Sequence, residues 1–283
     1  MRNAVSGSAG GAGEGPPASD VLFERRDGVA IVTLSRPERL NAVTPALVEN
    51  LHAILDELMV DTETRLVVLT GAGRGFCAGM DIQGGDPSSI ESSEGRMQRI
   101  FRGISRGGEA VAKLREIPQP VIGALHGPVA GMGMSIALAC DLRVADPTTK
   151  FVSPFTDIGL SGGDVGLSWL LPRVIGPAKA TEILYRSQTL RAEQLYTLGM
   201  ITEMADEGTD LDAALCLAGE LLTKSPYGLR HTKELLNLSM GAPSLRQHLA
   251  VENRTQTMAF FTEDFAEGLM ANAEKRTPKF RNR

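Results

Sequence analysis

Two short β-branched runs in this sequence break into glycines: Leu66 to Ile82, LVVLTGAGRGFCAGMDI, and Val121 to Gly133, VIGALHGPVAGMG. A buried strand hands over in this way to a tight turn and then a helix. Glycine lets a backbone come close to a ligand, and the first N–H groups of a helix have no internal partner and lie at its positive dipole end. Two such turns supply two sets of free backbone donors. The chemistry suited to them is stabilisation of an oxyanion.

Other chemistry-bearing patterns fail on their context. Gly103 to Gly107 and Gly159 to Gly163 both match G-x-S-x-G, with Ser105 and Ser161 at the centre. A nucleophile elbow needs a strand entering and a helix leaving, with Asp and then His downstream. The first match lies in a polar helix-like run and the second follows a weak strand signal. GAGRGF has Phe76 where a dinucleotide fingerprint needs its last glycine. His52, His126, His231 and His248 form no triad or metal spacing, and Cys77, Cys140 and Cys216 are an odd number in no ligand spacing, so no metal is expected.

The elements that must position the glycine turns are legible as periodicities. Val21 to Arg26 and Val29 to Leu34 read as strands joined by Asp27-Gly28, a two-residue hairpin turn. Thr44-Pro45 caps a helix in which Leu47, Leu51, Ile54, Leu55 and Leu58 recur on one stripe, ending near Asp61. Strand and helix then alternate, which predicts an α/β fold with a largely parallel sheet covered by helices. From Gln83 the chain turns polar and continues into a predicted helix carrying Arg96, Arg99, Arg102 and Arg106, whose bland reading is a solvated face. From Leu211 onward nearly everything is helix-like, with Pro226 and Pro243 where new helices would start. Apolar residues on more than one face of that segment want a partner surface.

With 42% hydrophobic and 22% charged residues over 283, the composition is that of an ordinary globular protein. A formal net charge of -5 argues against a general nucleic-acid binder. The first 19 residues, rich in Gly, Ser, Ala and Pro, lack a signal peptide's apolar region and read as a flexible tail. No run approaches the ~18 apolar residues of a membrane span. A reduced, cytoplasmic setting fits best.

The same residues carry a resemblance. FCAGMDI after a strand ending VVLTG, and PQPVIGALHGPVAGMGMSIALACDLRVA, resemble the two oxyanion-hole segments of the crotonase (enoyl-CoA hydratase/isomerase) superfamily. The likeness extends to SRPERLNAVT and FFTEDFAEGLMANAEKRTPKF, and so covers roughly residues 20 to 283. It implies a spiral core of repeated β-β-α units over 20–210 and a C-terminal helical segment over 211–283 that forms trimers, often paired into hexamers. It also implies an acyl-CoA thioester substrate, with no cofactor beyond its CoA moiety.

By that resemblance the Met80 and Met132 N–H groups are the two oxyanion donors, flanked by the CoA-binding residues Ala78, Gly79, Asp81, Ile82 and Gly131. Asp81, directly after the donor, is expected to bond nearby backbone and fix the turn. Arg36, Leu40 and Ala42 would curl around adenine and pantetheine, and Lys275, Arg276 and Lys279 would reach CoA phosphates, as some of the arginines between 96 and 106 could.

The sequence departs from the hydratase pattern at the acid/base positions. Where a hydratase of this family holds water between two glutamates, this chain has Ser135 and Phe155 in the substrate pocket, and neither moves a proton as a carboxylate does. Asp164, in IGLSGGDVGLSWLLPRVIG, resembles the aspartate of the dienoyl-CoA isomerase branch, although one residue is inserted upstream. Its alternative role is to cap the helix starting near Gly166. Asp157 is a second candidate. The expectation is double-bond isomerisation or related enolate chemistry rather than two-glutamate hydration. The alternative is a fatty acyl-CoA binding protein without catalysis, since Phe155 makes the pocket more apolar.

Overall fold

The computed structural model describes residues 19–81 and 95–283, so nearly all of the expected tail, Ile82 and the start of the polar segment lie outside the described residues. The opening hairpin forms as its turn residues demand. β1 (Val21–Arg26) and β2 (Val29–Leu34) pair antiparallel, Val21 opposite Leu34, around Asp27 and Gly28 at φ 51° and 81°. Thr44 accepts from the Leu47 N–H and caps α1 (Pro45–Val60), whose leucine and isoleucine stripe is buried.

From β2 onward the main sheet is parallel. β3 (Leu66–Gly71), β4 (Val121–Leu125), β6 (Leu142–Ala145) and β9 (Glu203–Met204) add in turn, giving the order β1-β2-β3-β4-β6-β9. A second sheet holds β5 (Pro128–Ala130), parallel to β7 (Lys150–Val152), with β8 (Thr189–Arg191) antiparallel at its edge. Every residue of β3 is buried, as a central parallel strand requires. Val67 and Leu69 join the cluster under α1, α2 (Arg96–Glu116) and α3 (Met132–Ala139). Leu66 and Val68 face the other way, onto Ala214 and Ala218 of α7 (Asp210–Leu222). The helical segment expected from Leu211 therefore begins with a helix that covers the sheet.

After β7 the chain passes through α4 (Leu167–Ile175), α5 (Pro177–Tyr185) and α6 (Ala192–Thr197). Three helices end it: α8 (Pro226–Ser239), α9 (Leu245–Ala259) and α10 (Glu263–Glu274). Pro226 opens α8 as expected, but α9 starts after Ser244, whose side chain accepts from Gln247 N–H, so Pro243 precedes the cap. α8 is tied to the core by Lys233, which is buried. Its Nζ donates to the Leu114 and Gln119 carbonyls at 3.1 and 2.9 Å and pairs with Asp141 at 2.9 Å. Leu245, Leu249, Met258, Phe260, Phe261 and Leu269 on or beside α9 and α10 are exposed.

Candidate active site

The first glycine turn is held as the middle rail of a three-stranded ribbon. On one side Ala78 N–H donates to Leu40 C=O, Val43 N–H to Gly79 C=O and Asp81 N–H to Val43 C=O, at 2.9, 2.7 and 3.0 Å. On the other, Cys77 N–H donates to Pro128 C=O and Ala130 N–H to Cys77 C=O, at 3.1 and 2.9 Å. Val43 thus brackets Met80 in a parallel bridge. Backbone groups alternate in direction along an extended chain, so the N–H of Met80 faces away from Val43, on the side where the other rail has ended.

The second turn ends that other rail. Gly131, at φ 53°, is the N-cap of α3, and its N–H is fixed by Val152 C=O at 3.2 Å. Met132 is the first helical residue, whose N–H has no intrahelical acceptor. Among the described residues neither the Met80 nor the Met132 N–H donates to another group. The two turns touch backbone to backbone. A β-carbon built on Gly79 would stand 2.8 Å from Ala130 O, and one on Gly131 would stand 3.7 Å from Gly79 Cα. Gly79 also needs φ 88°, which a side chain disfavours. Two unpartnered donors at adjoining turns, one at a helix N-terminus, form a site for a developing oxyanion.

Around them the expected residues take definite places. The Asp81 carboxylate, almost fully buried, pairs with Arg36 at 3.1 Å and Arg39 at 2.9 Å, and Arg36 also donates to Ala42 C=O at 2.5 Å. The Asp81 side chain, expected to bond nearby backbone, also holds two guanidiniums, which draw the RPERLNAV segment onto the ribbon. Arg39 was missed because nothing local in the sequence shows which arginine reaches position 81. Leu40, at φ 50°, and Ala42 lend their carbonyls to this packing. Lys275, at φ 54°, ends α10, and Lys279 follows it. Both are exposed, while Arg276 pairs with Glu267 and Glu274. On α2, Arg106 pairs with Glu49 and Glu109, which makes it part of a solvated face.

Ser135 is one turn along α3 from Met132, fully buried, and its hydroxyl donates to the Asp164 backbone C=O at 3.1 Å. Phe155 is buried, with its ring edge 3.8 Å from where a Gly131 β-carbon would stand. Met132 sends its buried side chain toward α2, where a β-carbon on Gly107 would meet Met132 Cε at 3.1 Å and Val165 Cγ1 at 3.5 Å. Asp157 lies exposed in a short turn of 3-10 helix.

Asp164 is not a helix cap. Gly166, at φ 93°, is the N-cap of α4 and no side chain caps it. Asp164 contributes its carbonyl instead, accepting from Leu167 N–H at 2.8 Å. Its half-buried carboxyl has no hydrogen-bond or ion-pair partner among the described residues, and burial pushes it above the usual carboxylate range.

The remaining candidates resolve structurally. Ser105 lies inside α2, and Ser161 accepts from Gly163 N–H in a loop, so neither sits on an elbow. His126 Nδ1 lies 2.9 Å from Asp210 across 84 residues of sequence, a pairing no local pattern shows. Both border a hollow of about 680 Å³ beyond the carboxyl ends of β2, β3 and β4 that includes none of Met80, Met132 or Asp164. The free donors, rather than the size of the hollow, locate the chemistry. Among the described residues no group of three or more His, Cys, Asp or Glu could hold a metal ion, and no helix is long and apolar enough to cross a membrane.

Comparison with known proteins gives the family. Residues 24–283 match the family model described as enoyl-CoA hydratase/isomerase. The chain is 36% identical over 259 residues to a "probable enoyl-CoA hydratase" of Mycobacterium leprae, covering 90% of this chain and 87% of that protein. It is also 36% identical over 263 residues to the 1,2-epoxyphenylacetyl-CoA isomerase of Escherichia coli, covering 92% and 97%. The crystal structure of an enoyl-CoA hydratase from Polaromonas sp. JS666 superposes with a TM-score of 0.85 at 34% identity, covering 92% of this chain and 99% of that one.

Proposed function

This chain belongs to the enoyl-CoA hydratase/isomerase family, and we propose that it isomerises acyl-CoA thioesters through an enolate, with Met80 and Met132 N–H holding the thioester oxygen and Asp164 moving the proton. The observation that carries this is the state of three positions. Ser135 has committed its hydroxyl to a carbonyl, Phe155 is an apolar ring against the Gly131 turn, and Asp164, one hydrogen bond from α3, keeps a carboxyl with no partner among the described residues. Ser135 and Phe155 offer no pair of carboxylates to activate water, whereas a single base suffices to lift and return a proton.

In this reaction the Asp164 carboxylate takes a proton from a carbon activated by the thioester. The C–H electron pair moves onto the thioester oxygen as an enolate, where each N–H donor is worth about 3 kcal/mol of barrier. The protonated Asp164 then returns the proton to a different carbon, and the enolate collapses with the double bond moved. No net proton or water is consumed. Burial helps by raising the basicity of the carboxylate once it is ionised. Leu40, Ala42, Ala78 and Gly79 would contact the CoA arm, with Lys275 and Lys279 as partners of its phosphates. A relative that isomerises 1,2-epoxyphenylacetyl-CoA supports an isomerase reading. The exposed apolar residues of α9 and α10 support a homotrimer or a dimer of trimers.

The test is proton exchange. Wild type and Asp164→Ala are incubated with crotonyl-CoA, 3-hexenoyl-CoA and phenylacetyl-CoA in D₂O, and deuterium uptake is followed by mass spectrometry. Uptake that vanishes in the variant is expected. Tight binding without exchange in either protein would favour the acyl-CoA carrier, a reading that rests on the apolar ring of Phe155 beside the donors.

A further inference from the structure

Ser135 occupies the acid/base position nearest the second donor, yet its hydroxyl faces protein rather than solvent. The carbonyl it reaches belongs to a turn that the backbone resists. Val165 adopts φ 35° and Gly166 φ 93°. A β-branched residue at positive φ is costly and persists only where its surroundings over-determine it. Four contacts do so here. Asp164 C=O accepts from both Ser135 Oγ and Leu167 N–H. The Val165 side chain is buried in the same pocket as Gly107 and the Met132 side chain, and a β-carbon on Gly166 would touch Val111 of α2 at 3.6 Å. The turn is thus braced against α3 at Ser135 and against α2 at Gly107 and Val111.

We infer that Ser135 is a positioning residue: its hydrogen bond to the Asp164 carbonyl, with Val165 wedged between α2 and Met132, holds the strained turn that aims the Asp164 carboxyl at the substrate carbon beside the oxyanion donors. This rests on the proposed role of Asp164 and extends it. Met132 and Ser135 are three residues apart on one short helix, so a single rigid element sets both the oxygen's donor and the base's turn. Moving the base relative to the donor then requires breaking the Ser135 bond. Small displacements of a base are costly to rate and cost little in binding.

The experiment compares Ser135→Ala, Ser135→Thr and Ser135→Val with Asp164→Asn in the same D₂O exchange assay on phenylacetyl-CoA and 3-hexenoyl-CoA, with folding checked by circular dichroism and thermal melting. Thr and Val share a shape and differ in the hydroxyl, so any crowding in this buried site affects both alike. The exchange kcat of Ser135→Ala is expected to fall about tenfold or more with KM unchanged, and Ser135→Thr to exceed Ser135→Val by a similar factor. Equal kcat in the Thr and Val variants, or an unchanged kcat in Ser135→Ala, would overturn the positioning role. Loss of exchange in Asp164→Asn alongside either result would leave the proposed base intact, whereas exchange that survives Asp164→Asn would remove both.

Discussion

Gly133 on α3 lies so close to Cys77 that a β-carbon added to it would stand 2.4 Å from the Cys77 carbonyl oxygen. The helix bearing one donor is therefore pressed directly onto the rail that bears the other, and the relative position of Met80 and Met132 is a packing property of this contact.

Gly133→Ala must push α3 off the ribbon. A loss of exchange activity of about a hundredfold is expected from a misplaced donor, with destabilisation of about 1–3 kcal/mol from overpacking, read by kinetics and urea unfolding. Gly219 is the control. It is exposed on α7 with nothing within 4 Å of an added β-carbon, so Gly219→Ala should stabilise by about 0.5–1 kcal/mol with activity unchanged.

Asp81 binds two guanidiniums from a nearly fully buried position. Asp81→Ala leaves Arg36, which is mostly buried, with the more distant Asp20 carboxylate at 3.9 Å. Removal of one partner of a buried pair costs about 3–5 kcal/mol, less here because Arg36 keeps Asp20 and Arg39 is partly exposed. The RPERLNAV segment should loosen from the ribbon, so affinity for CoA itself should fall along with stability. Calorimetric titration of CoA into the variant would show this, and unchanged CoA affinity would detach that segment from CoA binding.

His126 is held above its usual range by the hydrogen bond to the Asp210 carboxylate, with burial opposing. Its folded pKa is raised, so the stabilisation is fully present below the unfolded value of about 6.5. It is lost as pH rises through the higher folded value. The melting temperature of wild type should therefore decline across that window more steeply than that of His126→Gln, and a parallel pair of curves would refute the linkage.

For Asp164 the linkage runs against stability. Burial raises its carboxyl, so the folded state disfavours ionisation, and stability falls as pH rises from the unfolded value to the folded one and stays lower above it. Asp164→Asn should melt higher than wild type near pH 7, with the difference shrinking as both carboxyl states protonate in acid. A more stable but inactive variant is the expected pairing for a residue kept for chemistry.

Lys233 joins α8 to two carbonyls and Asp141. Lys233→Ala should cost about 1–3 kcal/mol by leaving two carbonyls without their donor, while Asp141 keeps Arg115 at 3.6 Å and the Val121 N–H at 2.8 Å. Hydrogen exchange in α8 to α10 should accelerate before that of β3 and β4, which would show the C-terminal helices detaching first.

The sequence by itself determined the local elements and the family. The Asp27-Gly28 hairpin, the Thr44 cap, the stripe of α1 and the two glycine turns all depend on periodicities and turn residues within a few positions, and these formed where the sequence predicted. Tertiary structure decided which groups meet. Asp81 reaches Arg36 and Arg39, Ser135 spends its hydroxyl on Asp164 C=O, and His126 finds Asp210, across 45, 42, 29 and 84 residues respectively. The physical reason is range. A turn or cap is fixed by dihedral preferences and neighbours one helical turn away. Partners far apart in the chain are chosen only when sheet order and helix packing bring them to hydrogen-bond distance, and Asp164 could be told from a helix cap only once Gly166 was seen in that place.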